Sequence, residues 1–258
     1  MTGLGPPSGI RPRALALHFL HLIRRSTPRG FSKVRVGNDR GDGGYVMVDD
    51  WRDVVGAISI GIGGDVSWDV AIAERGIDVH QFDHTVSGPP VEHPRFHFHA
   101  IGVGGDDSAD APYRSLGGIV REIPRGGDLL LKMDVEGAEW AALAATPAQV
   151  MERFAQIVIE VHGPLAGSVL DAVRNVLVAR YLRRTHRVVH VHANNYAPVE
   201  SFEGIQLPHA LELTYLRTTR ASFQPSREPL PSAEDVPNDP SRPEIGMAAI
   251  LAQTRERR

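Results

Sequence analysis

The chain has 258 residues, 42% of them hydrophobic, with 28 basic and 31 acidic side chains for a formal charge of −3. That length suits one α/β domain with appendages, and the 23% charged fraction excludes a disordered or polyelectrolyte chain. The absence of cysteine excludes a disulfide framework, a thiolate zinc site, an iron–sulfur cluster and a cysteine nucleophile.

Charge is unevenly spread. Residues 1–41 hold eight basic groups against Asp39 alone, so the remainder is strongly acidic. A basic N-terminal arm of this kind can meet an acidic partner, and its plainer reading is a solvated leader. Lysine is scarce: Lys33 and Lys132 are the only two, all other basic residues being arginine.

Taken in chain order, residues 14–23 are too short to cross a bilayer, and no small-residue cleavage site follows them. Leu15, Phe19, Leu22 and Ile23 fall at helical spacing, which predicts an amphipathic docking helix. A protein without a membrane span, cytoplasmic, is expected. Strands are predicted at 57–60, 78–82, 96–103, 129–133, 156–161, 187–192 and 211–217. Helices fall between them at 66–74, 119–123, 138–145 and 168–182. Apolar strands alternating with helices imply a mostly parallel sheet covered on both faces. The last two strands lack a connecting helix, which predicts an antiparallel edge. The organisation is thus a basic arm (1–41), an α/β domain (42–217) and a Pro-rich extension (218–258), read as an extended, partly disordered wrap.

In such sheets ligands bind where the first strand meets its helix. Here Gly61, Gly63 and Gly64 fill that turn, and Asp83 ends the next strand, the usual place for a carboxylate that accepts ribose hydroxyls. A dinucleotide fingerprint needs a third glycine where Val66 stands, and Asp65 at the helix start would repel a pyrophosphate. S-adenosylmethionine carries a sulfonium and an ammonium instead, so the same carboxylate suits it. Asp65 is equally an N-cap, with Ser67 as the alternative. The densest chemistry lies at Lys132-Met133-Asp134-Val135-Glu136-Gly137-Ala138-Glu139. Lys132 and Asp134 share a strand face and need partners, whereas Glu139 reads as a dipole-stabilising cap.

This segment resembles the hallmark of the FkbM family of S-adenosylmethionine-dependent methyltransferases. The turn at 61–69, Val79 to Asp83, and Ile159-Glu160-Val161-His162 are similar to that family in order and spacing, as is Asp42-Gly43-Gly44-Tyr45-Val46-Met47. His84 departs from the proline common after the Asp83 position. The resemblance implies a class I methyltransferase Rossmann-like sheet, ordered 3-2-1-4-5-7-6 with strand 7 antiparallel, and often transfer to a hydroxyl oxygen. By the family's layout Gly61, Gly63 and Asp65 line the methionine end of the cofactor and Asp83 the ribose. The loop from Gly102 to Asp107 lies near adenine, and Asp134 points at the transferred methyl.

Transfer to a small-molecule hydroxyl needs in-line placement and removal of one proton, for which His162 or His192 is the expected base with Asp134 as orienter. A variant has Asp134, Glu160 and His192 holding Mg²⁺. The pairs His97/His99 and His190/His192 read as solvated faces, Asp106-Asp107 as a turn, and Trp68 and Trp140 as packing residues. No nucleic-acid partner is expected, and homo-oligomerisation stays open. Two rivals remain: an NAD(P)-dependent oxidoreductase, and a non-catalytic cofactor-binding scaffold recruited through the basic arm.

Overall fold

The computed structural model describes residues 11–107, 112–123 and 126–255. Seven runs form the central sheet: β1 (Val54–Ile60), β2 (Val79–Phe82), β3 (Phe96–His99), β4 (Asp128–Met133), β5 (Phe154–His162), β6 (His186–Ala193) and β7 (Ala210–Arg217). They stand in the spatial order β3-β2-β1-β4-β5-β7-β6. Every pairing is parallel except those of β7, which runs against both β5 and β6. The strand that reverses direction lies one place in from the edge, and its pairing with the edge strand β6 makes the expected antiparallel edge. A hairpin of two short strands, Val199–Phe202 and Ile205–Pro208, makes this reversal without a helix.

Strands β4, β5 and β7 bury almost every side chain, as a sheet covered on both faces demands. The cover comes from α1 (Pro12–Leu22), α2 (Ser67–Ala73), α3 (Leu116–Glu122), α4 (Glu139–Ala144), α5 (Ala148–Met151), α6 (Val169–Leu182) and α7 (Met247–Ala252). Helix α6 begins on a capping box: Ser168 Oγ accepts from Asp171 N while Asp171 accepts from Ser168 N. Among the described residues no helix is long and apolar enough to cross a membrane.

The N-terminal segment is not a detachable arm where it is described. Phe19, Leu20 and Ile23 of the α1 region are fully buried in the main core, and Phe19 meets Trp140 edge-on at 6.1 Å. Further on, Lys33–Gly37 and Gly44–Val48 form an antiparallel ribbon that periodicity did not reveal. Buried Gln156 clamps this ribbon to β5, accepting from Val48 N at 2.9 Å and donating to Val48 O and Asp50 O. The run at 96–103 breaks after His99, where Ile101 N turns back to His99 O at 2.8 Å. Gly102–Gly104 then pairs outside the sheet with Tyr113–Ser115. The C-terminal extension is extended but tied down, Phe223–Pro225 pairing with Ser26–Pro28.

Candidate active site

The carboxyl ends of β1 and β4 approach so closely that only glycine fits between them. Gly61 has φ +76°, and a Cβ there would stand 1.7 Å from Asp134 O. Asp134 N donates to Ile60 O at 3.0 Å, and the Lys132 ammonium donates to Gly61 O, tying the crossing from below. A compact ammonium is what this slot admits, which accounts for a lysine in a buried strand.

Above the crossing lies a cleft of about 570 Å³. Gly61, Gly63, Asp65, Asp83, Gly102 and Asp134, the residues expected at the cofactor, all line it. Asp65 accepts from Ser67 N at 2.7 Å, so it braces the start of α2 while facing the cleft. Asp83 is more committed than its expected ribose role requires. One oxygen accepts from Ile62 N and Gly63 N, both at 3.0 Å, and the other from Thr85 N and Thr85 Oγ1. Burial works against its charge, but these four bonds outweigh it and hold its pKa below the ordinary carboxylate range. Asp83 therefore organises the glycine turn that any ligand would touch.

Several lining residues escape sequence reasoning. His84 and Tyr113 form an aromatic wall, with ring centroids 4.8 Å apart and Tyr113 Oη 3.0 Å from His84 Nε2. A Cβ on Gly102 would stand 2.7 Å from His84 Nδ1, so this glycine makes room for the wall. Tyr45, from the ribbon, lines the other end beside Asp42. No periodicity signals these contacts, because they join segments far apart in the chain.

Beyond Asp134 the site is strongly acidic. Asp134, Glu160 and His162 bring one ligand atom each within 4.8 Å of one another. Asp134 Oδ1 is buried without a hydrogen-bond partner among the described residues. Burial raises the Asp134 pKa and Lys132 and His162 pull it back, leaving it at about 6. Glu160, which accepts from Asn194 Nδ2 at 2.8 Å, is pushed well up by burial and by the charges of Asp134 and Glu212.

His162 is caged rather than free. Its Nδ1 lies 3.3 Å from Glu139 Oε1, and its Nε2 lies 3.4 Å from Glu136 and 3.6 Å from Glu160. Burial opposes its charge, but the Glu139 hydrogen bond and the surrounding carboxylates prevail and lift its pKa to about 9. A ring held protonated at neutral pH is a poor proton acceptor, and these contacts weigh against its expected role as base. Glu139 is also more than a helix cap: fully buried, it accepts from Gly137 N and His162 N.

His192 does not reach the cleft. Its Nδ1 meets Glu212 at 3.1 Å and its Nε2 meets Glu244 of the tail at 3.2 Å, so neither nitrogen is free. Burial is outweighed by these two carboxylates, and its pKa rises to about 10. Of the expected metal-holding set, Asp134 and Glu160 lie together, and the histidine beside them is His162 and not His192. His190 is likewise no solvated residue, its Nε2 lying 2.7 Å from buried Asp235. His97 stacks on His80 at 4.8 Å across β2 and β3, and His99 stacks on Phe82 at 4.6 Å. A second acidic group, Asp42, Glu160 and Glu212, is bridged by Asn238 Nδ2, which donates to Glu212 at 2.6 Å and Asp42 at 2.8 Å.

No protein-family model matches the chain. A stretch of 115 residues, 40% of the chain, is 32% identical to the probable methyltransferase-like protein 24 of Rattus norvegicus and covers 32% of it. The human counterpart is 30% identical over 115 residues, with 31% of its length covered. The chain thus spans about a third of the curated relatives it matches. Among solved structures, a candidate hemolysin of Streptococcus thermophilus superposes with a TM-score of 0.38 at 12% identity, over 79% of this chain and 67% of that one. An overlap that loose carries no argument.

Proposed function

We propose that the chain is an S-adenosylmethionine-dependent methyltransferase, of the FkbM type that its motifs resemble, acting on a hydroxyl of a small sugar-like or natural-product acceptor. The observation that carries this reading is the sign of the cleft. Asp42, Asp65, Asp83, Asp134 and Glu136 line it, and Lys132, the only lysine or arginine among its described lining residues, is spent on Gly61 O. A pyrophosphate would meet like charge there, whereas a sulfonium and an ammonium meet opposite charge. That weakens the NAD(P) alternative. The same acids disfavour a nucleic-acid acceptor, whose backbone phosphates they would repel. The match to methyltransferase-like relatives and the 3-2-1-4-5-7-6 sheet order support the reading.

When bound, the cofactor supplies an electrophilic methyl group on sulfur. The glycine turn at 61–64 lets the backbone approach that ligand closely, and Asp83 keeps the turn in place. Asp65 offers its charge to the ammonium end. Asp134 is the proton acceptor in this reading: at neutral pH it is ionised, its raised pKa makes it more basic than an ordinary carboxylate, and Oδ1 has no competing donor. His162 positions rather than accepts, its imidazolium holding Glu160 and Asp134 against their mutual repulsion.

Calorimetry with S-adenosylhomocysteine and with NAD tests the reading. Binding of the first and not the second is expected, and preference for NAD sinks it. Labelled S-adenosylmethionine in cell extracts then identifies the acceptor; cofactor binding with no transfer in any extract selects the scaffold alternative.

One observation favours a metal-assisted version. Asp134, Glu160 and His162 converge, and Glu139 braces His162 Nδ1 as carboxylates brace metal-bound imidazoles. A hard cation such as Mg²⁺ held there would acidify an acceptor hydroxyl. Turnover lost in EDTA and restored by Mg²⁺ selects this version, and EDTA-insensitive turnover removes it.

A further inference from the structure

At the other end of the sheet, a second cavity of about 590 Å³ opens between the C-terminal ends of α1 and α6, the start of β6 and the tail. Arg24, Arg25, Arg183, Arg187 and Arg227 line it. Its one acid, Glu228, is already neutralised by Lys33 and accepts from Thr27 Oγ1 at 3.2 Å. Among the described residues Arg24, Arg183, Arg187 and Arg227 have no carboxylate within ion-pair reach, and Arg25 has only Glu228 at 3.9 Å.

Three of these guanidiniums are fixed by backbone carbonyls. Arg25 donates to Glu228 O at 2.8 Å, Arg183 to Leu22 O at 2.7 Å, and Arg187 to Arg183 O at 2.7 Å. These bonds leave further N–H groups of each fork uncommitted. The Arg25 side chain is only 7% exposed, and its Nη1 makes no hydrogen bond among the described residues. Helix C-termini account for Arg24, Arg25 and Arg183 one at a time. They do not account for Arg187 or Arg227, nor for the gathering of all five around one hollow where they repel one another.

We propose that this cavity binds a small diphosphate-bearing anion. Its volume fits a small molecule rather than a flat macromolecular face. Five unbalanced guanidiniums exceed what a monoanion neutralises, and their planar forks match phosphate oxygens two at a time. Phe223, Leu230 and Leu251 also line the cavity and give it an apolar wall, which suits an organic body attached to the diphosphate.

The test uses calorimetry on the full chain with inorganic pyrophosphate, sulfate and adenosine diphosphate at matched ionic strength. Pyrophosphate is expected to bind at least about tenfold tighter than sulfate. The double variant R24Q/R227Q alters two exposed side chains that make no hydrogen bond among the described residues. It should keep the wild-type melting temperature and lose about tenfold in pyrophosphate affinity. Sulfate binding as well as pyrophosphate, or a double variant binding pyrophosphate like wild type, overturns the proposal; the second outcome would mean that the anion sits elsewhere, including in the glycine cleft. Adenosine diphosphate binding more tightly than pyrophosphate supports the apolar wall as part of the site, and equal binding overturns that part.

Discussion

The two ends of the sheet carry opposite problems of like charge and relieve them differently. At the cleft, carboxylates crowd together and are relieved by neutral and cationic donors of the chain itself: Asn194, Asn238, Thr85 and His162. At the far end, arginines crowd together and are fixed by backbone carbonyls that cancel no charge. A carboxylate can also take up a proton, as Asp134 does with its pKa near 6, whereas a guanidinium cannot lose one in water. The acidic end can therefore answer to pH, and the arginine end can answer only to an anion. The formal charge of −3 conceals both.

Gly61→Ala should break the acidic end outright. With φ at +76° and Asp134 O 1.7 Å from the new Cβ, the strand ends must separate. A loss of about 3 kcal/mol or more in stability is expected, together with loss of S-adenosylhomocysteine binding. Chemical denaturation and calorimetry read the two effects, and pyrophosphate binding by the folded fraction tests whether the far end is independent. Asp134→Asn keeps the shape and removes the proton acceptor. Turnover of an identified acceptor should fall by about 10²–10⁴, with cofactor affinity kept within a few-fold. Unchanged turnover makes the assignment wrong.

Asn238→Ala removes the donor shared by Asp42 and Glu212, leaving a buried carboxylate under-satisfied, at a cost of about 1–3 kcal/mol by urea unfolding. The pH dependences separate the ends more gently. Turnover should fall as pH drops through about 6 and protonates Asp134. The stability that His192 contributes is fully present below its ordinary value of 6.5 and is lost as pH rises through about 10. Pyrophosphate affinity corrected for the ligand's own ionisation should stay flat between pH 8 and 10, because guanidinium charge does not change over that interval. The smallest effect belongs to Tyr113→Phe. It removes the 3.0 Å contact to His84 and leaves the ring, so under about 1 kcal/mol is expected in cofactor affinity.

Most of the sheet strands are legible in the chain as apolar runs set off by turn residues; β3, Phe-His-Phe-His, is the exception, and its expected run of 96–103 stops at His99. The glycine turn and Asp83 are legible because close backbone approach and a strand-end carboxylate leave marks at fixed spacing. His192 shows where such reading stops. Strand alternation tells which side of a sheet a residue faces, but not what arrives to cover it. Here Glu244 comes from 52 residues further on and closes the last free nitrogen. Glu139 fails for a related reason: at a helix start it looks like a cap, and only the packing of α4 on the end of β5 turns it toward His162. The arginine cavity is invisible because its arginines come from three separate segments, at 24–25, 183–187 and 227, that no local spacing connects.

Asn238 touches Asp42 and Glu212 at once, and Glu244 closes on His192. The acidic site is therefore finished by residues that follow the last sheet strand, well after its glycine turn in chain order. A chain cut before residue 238 keeps every sheet strand and the His192 contact of Glu212, but the other oxygen of that buried carboxylate loses its donor. Such a product would be caught by proteolysis sooner than its sheet alone suggests, so the segment after β7 acts as a check on the whole site.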